Sequence, residues 1–323
     1  GGGERGRGGG GRRAEGGAER RGTPGSGVDG AGRGVRAVGL AEDVRRVRTS
    51  GGYAQFRGGS GGDQPWRRAP ARRGRGAGAA PGGGAEGVAQ RVGCAGGGRV
   101  VLTGPGEGKR TNSVQGINHT ESTAGDKIVS AASGPTTAIG AVLKAVNDKF
   151  GIVNGHVETV HSFTNDQNLI DNFHKGSRRG RAAPLNMVIT ETGAATAAAK
   201  ALPVLKGKLT GNAIRVPTPN VSMAILNLNL DKATTREEIN EYLRQTAMHS
   251  ELHKQIDYVS SQEVVSTDFV GSRHAGVVDA EATICNDNRV VLYVWYDNEF
   301  GYSCQVVRVM EEMAGVNPPA FPH

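Results

Sequence analysis

Apolar residues recur at steps of three and four from Thr137 onward, at Ile139, Val142, Leu143, Val146 and Phe150. That spacing predicts a helix with one buried face. Ser133, Gly134 and Pro135 read as its entry, because a serine can cap the first free amides and a proline in the first turn needs no amide hydrogen. Elsewhere the period is two. "HVETVHSFT" alternates as a strand, and "VSMAILNLNL" sets Leu226, Leu228 and Leu230 against Asn227 and Asn229, as a strand with one buried face does. "RVVLT" and "RVVLYVWY" are further strands. "TGAATAAAKAL" is an Ala-rich helix, "TTREEINEYLRQTA" opens with a capping box at Thr235 and Glu238, and "YSCQVVRVMEEM" is a final helix. Residues 98–323 thus alternate strands and helices.

Composition divides the chain near residue 97. Residues 1–97 hold 33 of the 52 glycines and 18 of the 39 basic residues, all arginine, against 8 of the 31 acidic ones. The formal net charge of +8 therefore arises in that stretch, and residues 98–323 carry −2. With so few large apolar residues, residues 1–97 are expected to stay largely disordered, since ordering costs about 1–2 kcal/mol per residue. Two readings of the stretch compete. "GERGRGGGGRR" and "ARRGRGAG" have the composition of arginine-glycine tracts that bind nucleic acid, weakly and without sequence preference. Yet the stretch contains no Lys, Asn, Ile, Met or His, all of which the rest of the chain uses. A G/C-rich gene read in a shifted frame yields that bias, and the missing initial Met fits a chain that starts mid-message. The remaining 226 residues suffice for one or two domains.

Cys94, Cys285 and Cys304 form no Cys-x-x-Cys pair and no ligand spacing with histidine, so neither a disulfide scaffold nor a metal site is expected. No apolar run approaches the ~20 residues of a membrane helix, and no charged-then-apolar leader is present. A soluble, cytoplasmic protein without a membrane partner is the expectation. "GPGEGKRT" after the first strand is not a phosphate-binding P-loop: Thr103 stands where the first glycine belongs, and Arg110 where Ser or Thr must follow Lys109.

Seven stretches together resemble one family. "VSAAS" before a helix, "TVHSFTNDQ", "RRGRAAP", "TETGAA", "KLTGNAIRVPTPNVS", "VVSTDFVG" and "WYDNEFGYS" occur in the order and spacing of glyceraldehyde-3-phosphate dehydrogenase, from about residue 98 to about residue 316. The resemblance implies an α+β fold. Residues 134–298 would be a catalytic domain with a mostly antiparallel sheet and helices, residues 98–133 a remnant of a Rossmann-like nucleotide-binding domain, and residues 299–323 a C-terminal helix and tail. The family's opening strand and glycine-rich turn are not recognisable in residues 1–97. "GAGRGVRAVG" at Gly30–Gly39 is a weak echo of that turn, of a kind that glycine-rich composition produces by itself.

In this family a cysteine at a helix N-terminus attacks an aldehyde, a histidine takes its proton, hydride passes to NAD, and inorganic phosphate releases the acyl group. A helix N-terminus and a nearby imidazolium both stabilise a thiolate, which explains the placement. Gly134 stands where the resemblance puts the cysteine, and Pro135, Thr136 and Thr137 where the family has threonine, threonine and asparagine. His161 matches the base, although a histidine in a strand, taken alone, reads as structural. Thr164 and Arg215 match the holders of the substrate's own phosphate. Ser133, Thr192 and Gly193 match the inorganic-phosphate site, with Arg179 and Arg181 as further contributors; by itself "RRGR" reads as a solvated loop. Asn298 matches the residue that fixes the nicotinamide amide of NAD, with Tyr302 beside it. Cys285 and Cys304 read as buried, inert thiols. The resemblance also implies a phosphorylated aldehyde as substrate and a homo-oligomer. Without the nucleophile the chain is expected to be inactive as written. The alternatives are a pseudoenzyme or scaffold with a nucleic-acid-binding tail, and an erythrose-4-phosphate dehydrogenase.

Overall fold

A computed structural model of the chain describes residues 35–39, as backbone, together with residues 99–106, 112–121, 126 and 128–316. Three short strands, β1 (Val35–Gly39), β2 (Arg99–Thr103) and β3 (Ile128–Ser130), pair in parallel in that order. β2 is the predicted "RVVLT". β1 falls inside the stretch expected to be disordered, and its ladder with β2 supplies the order that local composition does not. The glycines at 30–34 precede this strand, whereas a dinucleotide turn follows one. The rest of residues 1–97, including Cys94, and residues 317–323 lie outside the described residues.

β3 leads into α1 (Gly134–Phe150), the predicted amphipathic helix. Ile139, Val142, Leu143, Val146 and Phe150 are all buried, and each contributes about 1.5–3 kcal/mol as an upper estimate. The helix stops at Gly151, whose φ of 70° turns the chain and whose amide bonds back to the Asn147 carbonyl. β4 (Ile152–Ser162) follows at once. It begins before "HVETVHSFT" because Ile152 and Asn154 pair with Leu230 and Asn229 across an irregularity in the ladder.

The remaining elements are β5 (Val188–Glu191), α2 (Ala194–Ala201), β6 (Leu209–Val216), β7 (Ser222–Leu230), α3 (Arg236–His249), β8 (Ile256–Val259), β9 (Gly276–Asn286), β10 (Arg289–Tyr296) and α4 (Phe300–Ala314). The seven strands from β4 to β10 form one sheet in the order β5-β6-β4-β7-β10-β9-β8. Its β6–β4 and β9–β8 pairs are parallel and its other pairs antiparallel, so the α+β, mostly antiparallel expectation holds.

Helices α1, α2 and α3 cover one face of this sheet, where Leu226, Leu228, Leu230, Leu292 and Val294 meet Ile139, Ala198 and Leu243 in a common core. Gly276 on β9 lets α1 approach closely: a Cβ there would lie 2.8 Å from the Ala138 carbonyl oxygen. Helix α4 packs instead on the small sheet, with Tyr302, Val306, Val309 and Met313 against Val101, Val129 and Ala131. This docking brings the β10–α4 turn to the start of α1. Among the described residues no helix is long and apolar enough to cross a membrane.

Candidate active site

Three chain segments end at one place: the N-terminus of α1, the C-terminal end of β4, and the turn between β10 and α4. Ser133 caps α1 from an extended conformation, its Oγ accepting from the Thr136 amide at 3.4 Å and lying 2.7 Å from Thr136 Oγ1. Ala132 before it takes a left-handed φ of 57°. Ser130 Oγ, which accepts from the Ala132 amide at 3.1 Å, and the Tyr302 hydroxyl, which donates to the Ala132 carbonyl at 2.9 Å, hold that turn. Gly134 is therefore the first residue of a capped helix, at the positive end of its dipole. A Cβ on Gly134 would stand 3.7 Å from Tyr302 Cβ and 3.9 Å from the Asn298 carbonyl oxygen, both ordinary contacts. The backbone has room for a side chain that the sequence does not supply.

His161 and Arg215 are partners in the β4–β6 ladder. His161 is buried, with its ring edge-on to Tyr296 at 5.9 Å between centroids. Burial first, and then the Arg215 guanidinium, lower its pKa from 6.5 to about 3, while the Ser162 carbonyl opposes the shift. The ring is neutral at physiological pH. Its Nδ1 lies 2.7 Å from the Ser162 carbonyl oxygen and 2.7 Å from Arg215 Nη1. A proton on Nδ1, donated to Ser162, leaves the lone pair on Nε2; acceptance from Arg215 selects the opposite tautomer. Burial also pushes the Tyr296 phenol well above its ordinary pKa.

Asn298 joins the segments. Its Oδ1 accepts from Ser162 Oγ and from Ser222 Oγ, each at 2.8 Å, and its Nδ2 has no partner among the described residues. Ser222 follows Val221, whose φ of 66° is an outlier for a β-branched residue. A line of contacts thus runs from Gly134 through Asn298 and Ser162 to His161 and Arg215.

The other expected site residues stand further off or are engaged elsewhere. Thr164 lies just past β4 in a turn with Gln167, which accepts from the Thr164 amide at 3.3 Å and donates its own amide to the Thr164 carbonyl at 3.0 Å. Arg179 binds Asp166 and donates from Nε to Thr190 Oγ1 at 3.0 Å. Arg181 is exposed and pairs with Asp171 at 3.2 Å. Thr192 Oγ1 accepts from the Ala194 amide at 3.2 Å at the start of α2, and Gly193 is exposed. Val188 pairs with Arg215 but Glu191 with Asn212, so Thr192, one residue past the ladder, stands about 13 Å along the strand direction from the His161–Arg215 pair. Cys285 and Cys304 are half-buried rather than buried, and burial still raises both thiol pKa values. Among the described residues no cluster of His, Cys, Asp or Glu could hold a metal.

The sequence reading missed Ser162, Ser222 and Tyr296. All three lie within stretches it quoted, but only the adjacency of β4, β7 and β10 shows what they touch.

The architecture is that of an α+β domain with its polar residues gathered around the start of one helix. Residues 133–298 match the family described as glyceraldehyde 3-phosphate dehydrogenase, C-terminal domain. A glyceraldehyde-3-phosphate dehydrogenase-like protein of Pseudomonas aeruginosa is 85% identical over 238 residues, covering 74% of this chain and 52% of that protein. Glyceraldehyde-3-phosphate dehydrogenase 2 of a Nostoc species is 42% identical over 231 residues, covering 71% of this chain and 68% of that protein. The Bacillus subtilis protein of the same name is 42% identical over 222 residues, covering 68% and 65%. The chain belongs to the glyceraldehyde-3-phosphate dehydrogenase family. It spans about half the length of the first of these relatives and about two thirds of the others.

Proposed function

We propose that residues 134–298 are the catalytic domain of a phosphorylating aldehyde dehydrogenase for glyceraldehyde 3-phosphate, with position 134 that of the nucleophile, and that the chain as written binds without turnover. His161 is the base. Thr164 and Arg215 hold the substrate's phosphate, and Ser133, Thr192 and Gly193 the inorganic phosphate. Arg179 and Arg181 join them only on leaving Asp166 and Asp171. The observation that carries this reading is the open Cβ direction of Gly134 at a capped helix N-terminus, linked by contacts to a buried, neutral histidine. A thiol there would be stabilised as thiolate by the positive end of the helix dipole. A substrate phosphate that draws Arg215 away frees His161 Nδ1 to donate to Ser162, leaving Nε2 with the lone pair that a base needs.

NAD is the cofactor this reading implies. The residues present fit its nicotinamide end, since Asn298 offers an amide donor without a partner beside Gly134. Bound there, the ring would supply the hydride acceptor. Tyr302 contributes a wall rather than a polar contact, its hydroxyl being engaged by Ala132. A cytoplasmic homo-oligomer belongs to the same reading; its self-association is supported by Leu169, Ile170, Phe173, Leu185, Met187 and Ile189, all exposed between β4 and β6. Nucleic acid would bind residues 1–97 only weakly, through their arginines.

Gly134→Cys tests the reading. Iodoacetamide should label the introduced thiol faster than Cys285 or Cys304 at pH 7, with a depressed thiol pKa. NADH formation from glyceraldehyde 3-phosphate, NAD and phosphate should stay absent, because Pro135 and Thr137 still replace the family's threonine and asparagine. Labelling no faster than at Cys285 would refute the assignment of position 134, and measurable NADH would refute the further defects.

A further inference from the structure

Two buried serines decide which end of Asn298 faces the site. Ser162 is fully buried and Ser222 is 2% exposed, so each hydroxyl hydrogen needs an acceptor inside the protein. Ser222 Oγ already accepts from the Ser162 amide at 3.0 Å. With Asn298 Oδ1 turned inward, both hydroxyls donate to it at 2.8 Å and fill its two lone pairs. With the amide turned over, both serines would have to accept from Nδ2. The Ser162 hydrogen would then find only Ser222 Oγ, at a long 3.4 Å, with the Tyr296 hydroxyl beside Ser222. A buried hydroxyl without an acceptor carries a desolvation cost that the inward arrangement avoids. The network closes with short hydrogen bonds in one orientation.

We propose that Ser162 and Ser222 are positioning residues that hold Asn298 as a one-sided donor, so that Nδ2 selects a carbonyl acceptor, the carboxamide oxygen of a nicotinamide ring. The proposal rests on the reading of Asn298 as a cofactor residue. Ser162 also receives the His161 Nδ1 contact on its carbonyl, so one residue aligns the base and the amide donor together. Val221 holds its left-handed turn where Ser222 must present its hydroxyl.

The test is a double-mutant cycle read by calorimetric binding of NAD and of its 3-acetylpyridine analogue, which keeps the ring carbonyl and lacks the amide nitrogen. The unaltered chain should bind both within about threefold. Ser162→Ala/Ser222→Ala should weaken both by roughly fivefold to tenfold, the scale of one misdirected hydrogen bond, with an unchanged circular dichroism spectrum. In an Asn298→Ala background the serine replacements should cost nothing further; an equal cost there would mean a merely structural role and overturn the proposal. Should the unaltered chain bind neither dinucleotide, the cofactor reading fails by itself. The Asn298 side-chain carbonyl carbon, assigned by NMR through its loss in Asn298→Asp, then decides the serines' role. It should move upfield when both serines become alanine, and an unmoved resonance would overturn the proposal.

Discussion

His161 shows how far one burial event sets behaviour with pH. Its pKa is near 3 in the folded chain and near 6.5 when unfolded, so between those values the unfolded state binds more protons. Stability therefore rises with pH across that window, is complete above about 6.5, and is lost as pH falls toward 3. At about 1.4 kcal/mol per pH unit for the single group, the loss amounts to a few kcal/mol by pH 4. Urea unfolding at pH 7 and pH 4.5 should show a larger drop in midpoint for the unaltered chain than for His161→Gln. Equal drops would mean that protonation of His161 does not govern acid stability. Gly134 is the complementary case: nothing in the conformation of this residue requires glycine, so the missing side chain is a chemical loss without a folding demand.

At the scale of elements, periodicity made α1, β4 and β7 legible, because each buries one face and repeats at 3.6 or 2, and the capping box at Thr235 and Glu238 marked the start of α3. β9 was not legible, since Gly276–Ala280 are buried on both sides and do not alternate. β5, β6 and β8 are short or half-buried, and owe their order to ladder partners rather than to pattern. The site divided in the same way. The capped start of α1 could be read from Ser133 and Pro135, but the Ser162–Asn298–Ser222 lock spans strands that only the sheet order joins. Two substitutions test how α1 is held. Ser133→Ala removes the cap and should cost about 1 kcal/mol in urea unfolding. Gly276→Ala should cost about 1–3 kcal/mol, because its methyl would meet the Ala138 carbonyl and Val294. It should also slow alkylation in the Gly134→Cys chain by displacing the helix start. Unfolding midpoints equal to the parent's would show that neither contact holds the helix.

Among the described residues, large apolar side chains are left exposed together on one segment. Helices α1 to α3 lie on one side of the seven-stranded sheet, and the segment between β4 and β6 exposes Phe173 at 90%, Leu185 at 82%, Met187 at 76% and Ile170 at 75% of their surface. Single exposed apolar side chains are common on soluble proteins, but a group of large ones on a single segment points to association. The same segment is tied down by Arg179 to Asp166, by Arg181 to Asp171 and by backbone bonds from Asn168 and Asn172 to Arg179 and Gly180, so it presents these side chains from a fixed frame. A second copy of the chain is the occupant that the proposed function calls for. Sedimentation velocity at micromolar concentration should show an assembly larger than a monomer, and Phe173→Asp/Leu185→Asp should convert it to monomer with an unchanged circular dichroism spectrum. The assembly should persist at 0.5 M salt, because apolar burial drives it and the Debye length at that concentration is only about 4 Å. A monomer in the unaltered chain would mean that this segment does not drive association, and an assembly that salt dissolves and the two substitutions leave intact would place the contact on charge instead.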